Sequence, residues 1–307
     1  MKIIILGAAA GGGFPQWNCA CGNCARARCG DPAAKPRTQA ALAVSVNDSD
    51  YVIFNASPDL RGQILATPAL QPRSGLRDSP IAAAVLTGGD VDFTAGLLNL
   101  REGHRFGLYA GRRIFDLLGD SQIFRVLDAG LVPRRELPVD VLTRLANCAG
   151  QDLGITVEAF VVPGKVALYA EDVSRADFGS SEGDTIGLRI ADDHGRAFFY
   201  IPSCARVSED VARRVRGAAL VLFDGTLWHD NEMIEAGLMP KTGARMGHIS
   251  VSGPEGSIAA FAGLDVARKV FVHVNNSNPM ILDDTPERAE AERAGWIVAH
   301  DGMEIVL

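Results

Sequence analysis

The chain has 307 residues, of which 47% are hydrophobic and 22% charged, and its formal net charge at pH 7 is −7. This composition is typical of a globular protein, and the lack of any basic run argues against a nucleic-acid partner, because phosphate contacts need clustered Lys and Arg. No run of 18 apolar residues is present, so we expect no membrane span. The N-terminal apolar stretch is too short for a signal peptide, which predicts a cytoplasmic protein.

Apolar runs bounded by turn residues predict most of the strands. Residues 41–46 and 51–55 flank a polar turn and predict a hairpin. We expect further strands over 2–6, 81–86, 155–162, 185–191, 196–201, 219–223 and 269–274, helices over 94–101, 207–216, 255–263 and 286–294, and two short strands at the end of the chain.

The order of these elements predicts the fold class. Mixed strands come first in each half, and helices interleave later. We find no composition break, internal repeat or low-complexity segment. We therefore interpret residues 1–307 as one α/β (α+β) domain in which two mixed sheets pack together with helices outside.

Four cysteines near the N-terminus follow a glycine-rich turn. Cys19, Cys21 and Cys24 form a C-x-C-x-x-C cluster, and Cys29 follows closely. Such spacing can gather thiolates around one structural zinc ion. Disulfides are the alternative, but nothing marks the chain as secreted. The preceding glycines do not fit a dinucleotide-binding motif, and indicate a turn where the backbone passes close to another group.

Acidic residues and histidines at strand ends are the candidates for chemistry. Asp90 and Asp92 follow the strand 81–86, Asp224 follows 219–223, and His248 and His273 lie at the ends of apolar stretches. Two histidines with one carboxylate and open positions suit non-haem Fe(II). The alternative is that these acids only form turns, since Asp is common there.

Six motifs in chain order resemble the coenzyme PQQ synthesis protein B family along the whole length. They are Gly-Gly-Gly-Phe-Pro-Gln-Trp-Asn-Cys-x-Cys (11–21), Asn-Ala-Ser-Pro-Asp-Leu-Arg (55–61), Gly-Leu-Leu-x-Leu-Arg-Glu (96–102), Asp-Gly-Thr-Leu-Trp (224–228), Met-Gly-His-Ile (246–249) and His-Val-Asn-Asn-Ser-Asn-Pro (273–279). The resemblance implies the metallo-β-lactamase superfamily and its αββα sandwich.

The resemblance also implies a reduced metal site. The superfamily motif H-x-H-x-D-H falls on Gly88, Asp90, Asp92 and Phe93, so that only the aspartate of the motif is present. A further superfamily histidine is replaced by Lys165. A dinuclear zinc centre and ordinary hydrolysis are therefore not expected.

Two further ligand positions are implied by the resemblance. His273 corresponds to a metal-ligand histidine. In related phosphodiesterases a histidine three residues further on completes the structural zinc site, and here that position is Asn276. The fourth zinc ligand is left open between Asn276 and Cys29.

The function implied by the resemblance is in pyrroloquinoline quinone (PQQ) biosynthesis. The family is similar to an iron- and oxygen-dependent hydroxylase acting on the tyrosine ring of a cross-linked Glu–Tyr precursor. Other proteins of PQQ biosynthesis are possible partners. Asp92 and His273 would then hold Fe(II), His248 or Asp90 would complete the site, and Asp224 would orient a histidine. The anionic substrate is expected near Arg37 or Arg101. The alternative is a non-catalytic carrier involved in the transport of PQQ or its precursor.

Overall fold

The computed structural model describes residues 1–307 and contains fourteen strands. They are β1 (Lys2–Gly7), β2 (Ala41–Ser45), β3 (Tyr51–Phe54), β4 (Ile81–Val85), β5 (Gly107–Ala110), β6 (Arg134–Glu136), β7 (Leu142–Ala146), β8 (Asp152–Val161), β9 (Ile186–Asp192), β10 (Ala197–Ile201), β11 (Val221–Asp224), β12 (Lys269–Val272), β13 (Trp296–Val298) and β14 (Glu304–Val306).

The strands form two seven-stranded mixed sheets. The first has the order β14-β1-β2-β3-β4-β5-β6, and the second β13-β12-β11-β10-β9-β8-β7. The expected hairpin is present, since β2 and β3 pair antiparallel with Leu42 opposite Phe54. Strands β3 to β6 run parallel in the first sheet, and β10 to β13 run parallel in the second.

Nine α-helices cover the sheets and their ends. They are α1 (Gly22–Arg28), α2 (Leu60–Ala66), α3 (Val91–Thr94), α4 (Arg112–Asp120), α5 (Glu209–Val215), α6 (Glu232–Glu235), α7 (Gly243–Met246), α8 (Ser257–Phe261) and α9 (Pro286–Arg293). The side chains of Ser208 and Thr285 cap α5 and α9 by accepting backbone N–H groups. None of these helices has the length and apolar character needed to cross a membrane.

One predicted helix takes a different form. Residues 94–101 were expected to form a helix, and the structure has a 3₁₀ helix over Ala95–Leu100, directly after α3 ends at Thr94. The reason is tertiary: Gly96 N donates to Ala56 O at 2.8 Å, and a Cβ at Gly96 would lie 2.0 Å from the Ser57 carbonyl oxygen. The close approach of this backbone segment overrides the local helical preference.

Burial explains why the strands are apolar. All five residues of β4 are buried, because the strand is covered on both faces. One apolar core joins side chains of both sheets, such as Val44 and Leu222. A second core packs α8 and α9 against the outer face of the second sheet, with Phe261 against Phe223. The predicted arrangement of two packed sheets with helices outside is confirmed, whereas its description as a single domain stays a prediction.

This topology places the functional candidates at one end of the sandwich. The loop 86–90 and the start of α3, which carries Asp92, follow β4 in the first sheet, while Asp224 ends β11 and His273 follows β12 in the second. Because parallel strands present their carboxyl ends at the same edge, these side chains converge between the two sheets.

Candidate metal-binding active site

A cavity of about 540 Å³ opens at this end of the sandwich. Its size suits a small-molecule ligand. Its lining includes Asp90, Asp92, His248 and His273, so four of the five predicted catalytic side chains reach one space. The fifth, Asp224, is fully buried directly behind them.

Asp92 and His273 make the central contact of the site. His273 Nε2 lies 2.8 Å from Asp92 Oδ2. Burial acts to raise the pKa of Asp92, but the hydrogen bond and charge of His273 outweigh it, and the pKa lies below its ordinary value. Burial likewise opposes the charge on His273, yet Asp92 raises its pKa above the ordinary value. His273 also has a left-handed backbone, with φ of 57°, which is rare outside glycine and common at functional sites.

Asp224 and Thr226 fix both imidazole rings behind the cavity. Thr226 Oγ1 lies 2.6 Å from Asp224 Oδ1, and donation of its single proton there leaves it to accept from His273 Nδ1 at 2.8 Å. His248 Nδ1 donates to Asp224 Oδ2 at 2.7 Å. Both rings therefore carry a proton on Nδ1. The Nε2 of His248 is free, whereas His273 donates an Nε2 proton to Asp92, and a metal ion bound between the two groups would take the place of that proton.

Thr226 is the site residue that sequence analysis missed. Asp224, His248 and His273 have ligand-type atoms within 4.8 Å of one another. However, the Nδ1 atoms of His248 and His273 are already used in hydrogen bonds, to Asp224 and Thr226, so they are not available as metal ligands. Asp224 also accepts the backbone N–H groups of Cys204 and Thr226, at 2.9 and 3.0 Å. Asp224 thus contacts His248 directly and His273 through Thr226, while its role in orienting them stays a prediction. The available signal for Thr226 was a hydroxyl residue two positions after a strand-end acid.

Asp90 lies apart from the two histidines. Its Oδ1 accepts the backbone N–H of Leu168 at 3.0 Å. Burial raises its pKa, while the charge of Lys165 opposes that shift.

The glycine-rich turn closes the other side of the site, since a Cβ at Gly11 would lie 3.4 Å from Asp92 Oδ2. The predicted close approach of this turn to another group is therefore present, and the group is the Asp92 carboxylate.

Phe93 and Gly88, which the resemblance aligns with two ligand positions of the superfamily motif, pack against each other. Phe93 lines the cavity and its ring centroid lies 5.5 Å from that of His273. A Cβ at Gly88 would lie 3.0 Å from the Phe93 ring. The phenyl ring thus fills the space into which a side chain at position 88 would project, and neither residue offers a metal donor.

Three cationic side chains and the Glu171 carboxylate line another part of the cavity wall. The cations are Lys165, Lys241 and Arg245, and Arg245 pairs with Glu171 at 2.7 Å. Lys165 lies 3.4 Å from the same carboxylate, whereas Lys241 has no ion pair or side-chain hydrogen bond. This corrects the expectation that Arg37 or Arg101 meets an anionic substrate. Arg37 is buried with its Nη2 on Ile281 O, and Arg101 is exposed and paired with Glu102, so neither lines the cavity.

The cysteine cluster lies beside the cavity. The sulfur atoms of Cys19, Cys21 and Cys24 lie within 4.8 Å of one another. Two sulfurs held tetrahedrally at about 2.3 Å from one zinc ion are roughly 3.8 Å apart, so the three thiols fit that metal. Burial raises the pKa of Cys24 to about 11, a cost that coordination to a cation offsets.

Asn276 closes the cluster and Cys29 does not. Asn276 Nδ2 lies 3.2, 3.8 and 3.4 Å from the sulfurs of Cys19, Cys21 and Cys24. Rotation of the amide by half a turn presents Oδ1 to the same point. Cys29 is exposed at the end of α1, where its N–H caps the helix on Ala25 O, so helix geometry turns it away from the other thiols.

The catalytic candidates also fit one divalent ion. Two donor atoms bound side by side at about 2.1 Å lie roughly 3 Å apart, close to the 2.8 Å between His273 Nε2 and Asp92 Oδ2. His248 presents Nε2 to the cavity with no hydrogen-bond partner. Asp92, His273 and His248 therefore supply two imidazoles and one carboxylate, while Phe93 leaves no donor for a second ion on that side.

The chain is similar to characterised proteins over its whole length. The sequence model described as Beta-lactamase superfamily domain matches residues 50–274. A protein named Coenzyme PQQ synthesis protein B from Gluconacetobacter diazotrophicus is 54% identical over 305 residues, with 99% of both chains covered. Its counterpart from Xanthomonas axonopodis pv. citri is 50% identical over 307 residues, with both chains fully covered.

Solved structures agree with this relationship. The crystal structure of Zn²⁺-bound PqqB from Methylobacterium extorquens is 47% identical, covers both chains fully and superimposes with a TM-score of 0.94. A diphosphatase from the PhnP family, 19% identical with a TM-score of 0.69, covers 100% of this chain and 97% of its own and shares the fold. The chain has the metallo-β-lactamase fold and belongs to the coenzyme PQQ synthesis protein B family.

Proposed function

We propose that this protein acts in PQQ biosynthesis as an Fe(II)- and oxygen-dependent hydroxylase of the tyrosine ring in a cross-linked Glu–Tyr precursor. The observation that carries the proposal is the shared cavity. The free Nε2 of His248 and the paired Nε2 of His273 and carboxylate of Asp92 face the same space as the side chains of Lys165, Lys241 and Arg245. Relatives at about 50% identity that are named for PQQ synthesis support the pathway.

Two metals have separate places in this proposal. The cysteine cluster with Asn276 would hold a structural zinc, in keeping with the Zn²⁺-bound relative. Asp92, His273 and His248 would hold Fe(II), which supplies the activation of dioxygen. The loss of superfamily ligands at Gly88 and Phe93 supports a single ion and argues against the two-metal hydrolysis of relatives with that fold.

The protein side chains orient the substrate and hold its charge. Lys241, which has no carboxylate partner, is the group best placed to bind a substrate carboxylate, while Lys165 and Arg245 share Glu171. Thr226 and Asp224 keep the histidine rings in one tautomer. Hydroxylation places one atom of O₂ on the ring and releases the other as water, so a two-electron donor must also be present.

The test is turnover with a cross-linked Glu–Tyr compound, Fe(II), oxygen and ascorbate as the electron donor. Oxygen uptake should match a product heavier by one oxygen atom in mass spectrometry. His273→Ala should abolish turnover, because it removes a ligand of the proposed Fe(II) site. The zinc content should stay unchanged, because the cysteine cluster is intact. His229→Ala is the matched control, since His229 is half exposed, pairs with Glu235 and does not line the cavity.

A carrier function is the second candidate, and Phe93 is the observation that favours it. A ligand position filled by a phenyl ring weakens the expected hold on a catalytic ion. A carrier would bind PQQ or its precursor stoichiometrically without consuming oxygen. Tight binding with no turnover in the iron-loaded protein would therefore replace the hydroxylase proposal with this one.

A further inference from the structure

A second cleft, of about 480 Å³, lies far from the catalytic candidates in the second sheet. It opens beside the amino ends of β10 and β11, whereas Asp224 and His273 lie at the carboxyl ends of β11 and β12. Four of its ten lining residues are arginines, namely Arg189, Arg196, Arg214 and Arg216, and none of the lining side chains is acidic. Leu307 also lines the cleft, and its backbone oxygen accepts from Arg196 Nη1 at 3.2 Å. In a chain with net charge −7, this concentration of cations does not follow from composition.

Two of these arginines are neutralised from outside the cleft. Arg196 pairs with Asp192 at 2.6 Å. Arg214 pairs with Asp210 at 2.8 Å and with Glu158 at 3.0 Å. Their carboxylate partners hold the guanidinium groups in place but do not line the cleft.

The other two arginines have no carboxylate partner. Arg189 is half-buried on β9 and makes no ion pair or side-chain hydrogen bond. Its cross-strand neighbour is Glu158, but that carboxylate is already bound to Arg214. Arg216 donates only to the Gly263 carbonyl oxygen, at 2.8 Å. Both guanidinium groups are therefore available to a ligand.

We propose that this cleft binds a small anion carrying at least two carboxylate or phosphate groups, with Arg189 and Arg216 as its direct partners. The planar guanidinium fork matches both acid types in bidentate geometry. Phe199, Ala197 and Ala218 line the cleft between the arginines and give it an apolar wall. Reduced contact with water next to that wall strengthens the ion pairs. The site is independent of the proposed hydroxylase activity.

Isothermal titration of the full chain with citrate and, separately, with pyrophosphate tests the site and distinguishes carboxylate from phosphate. The double variant Arg189→Ala/Arg216→Ala should bind the preferred probe about a hundredfold more weakly, because each of the two charge-assisted contacts contributes about tenfold. Arg213→Ala is the matched control, since Arg213 is on the same helix as Arg214, is exposed and lies outside the cleft.

Lys241→Ala removes an unpaired cation from the large cavity and shows whether the anion binds there instead. Unchanged binding in Lys241→Ala and Arg213→Ala, with loss in the double variant, supports the proposal. Absence of binding by both probes to the wild-type protein at millimolar concentration overturns it, as does loss in Lys241→Ala with full binding in the double variant. If the double variant does not fold, Arg189→Gln alone should still weaken binding about tenfold, and unchanged affinity there also overturns the proposal.

Discussion

Replacement of Phe93 by histidine tests whether the phenyl ring occupies a ligand position of the metal site. The ring is only 3% exposed and packs against His273, with centroids 5.5 Å apart. A third imidazole at this position should raise the affinity for Co(II) or Fe(II) at least about tenfold, or ~1.4 kcal/mol. Loss of the buried phenyl packing should lower the free energy of unfolding by roughly 1–3 kcal/mol. Metal binding and stability should thus change in opposite directions.

Isothermal titration with Co(II), and with Fe(II) under anaerobic conditions, measures the metal affinity, and urea unfolding measures the stability. Phe124→His is the control, because Phe124 is buried outside the cavity and should lose stability without gaining metal affinity. Equal metal affinity in Phe93→His and wild type would refute the assignment of position 93 as a ligand position. Higher affinity with lower oxygen consumption would instead show that the phenyl ring keeps a coordination position open for oxygen or substrate.

The contact between Phe93 and Gly88 gives the same experiment a second readout. A Cβ at Gly88 would lie 3.0 Å from the Phe93 ring, so Gly88→Ala should destabilise the wild-type protein by about 1 kcal/mol. In the Phe93→His background the smaller ring should accommodate the methyl group, and that cost should fall. Additive effects in this double-mutant cycle would show that the two positions do not share one packing arrangement.

Three further predictions concern zinc, ring orientation and pH. Cys24→Ser should remove one equivalent of zinc and lower the Tm, because thiolate ligation couples metal binding to folding; unchanged zinc content by elemental analysis would contradict the site. Thr226→Val leaves His273 Nδ1 without its acceptor and should weaken Co(II) binding about 10–100-fold with zinc retained; titration at wild-type affinity would contradict the tautomer assignment. Arg245 holds the pKa of Glu171 at about 2, below its ordinary value of 4.5, so this ion pair stabilises the fold fully above about pH 5 and progressively less as the pH falls toward 2. Urea unfolding should show Glu171→Gln less stable than wild type by on the order of 1–2 kcal/mol at pH 7, with the gap shrinking below pH 4.5; a gap independent of pH would exclude the ion pair as its source.

Most strands of the fold could be predicted from the sequence, because a buried strand appears as a short run of apolar residues bounded by turn residues. The runs 2–6, 81–86 and 219–223 lie within one or two residues of the observed strands. The helix predicted for 94–101 is present as a 3₁₀ helix over Ala95–Leu100, and no local pattern encodes the contact of Gly96 with Ala56 and Ser57 in that segment. Strands β5 to β7 were not predicted. Strand β5 is buried but only four residues long, and β6 and the start of β7 are largely exposed and polar at the sheet edges.

The sequence by itself determined which residue types stand at the strand ends and near the N-terminus. A carboxylate after a buried strand, a histidine after another and a C-x-C-x-x-C cluster are local facts, and Asp92, His273 and the three thiols were named from them. Only the tertiary structure decided how they meet. Asp92 and His273 are 181 residues apart, and Asn276 reaches a cysteine 257 positions away. Such contacts depend on how the two sheets align and pack, which is set by the whole core and cannot be derived from any single segment.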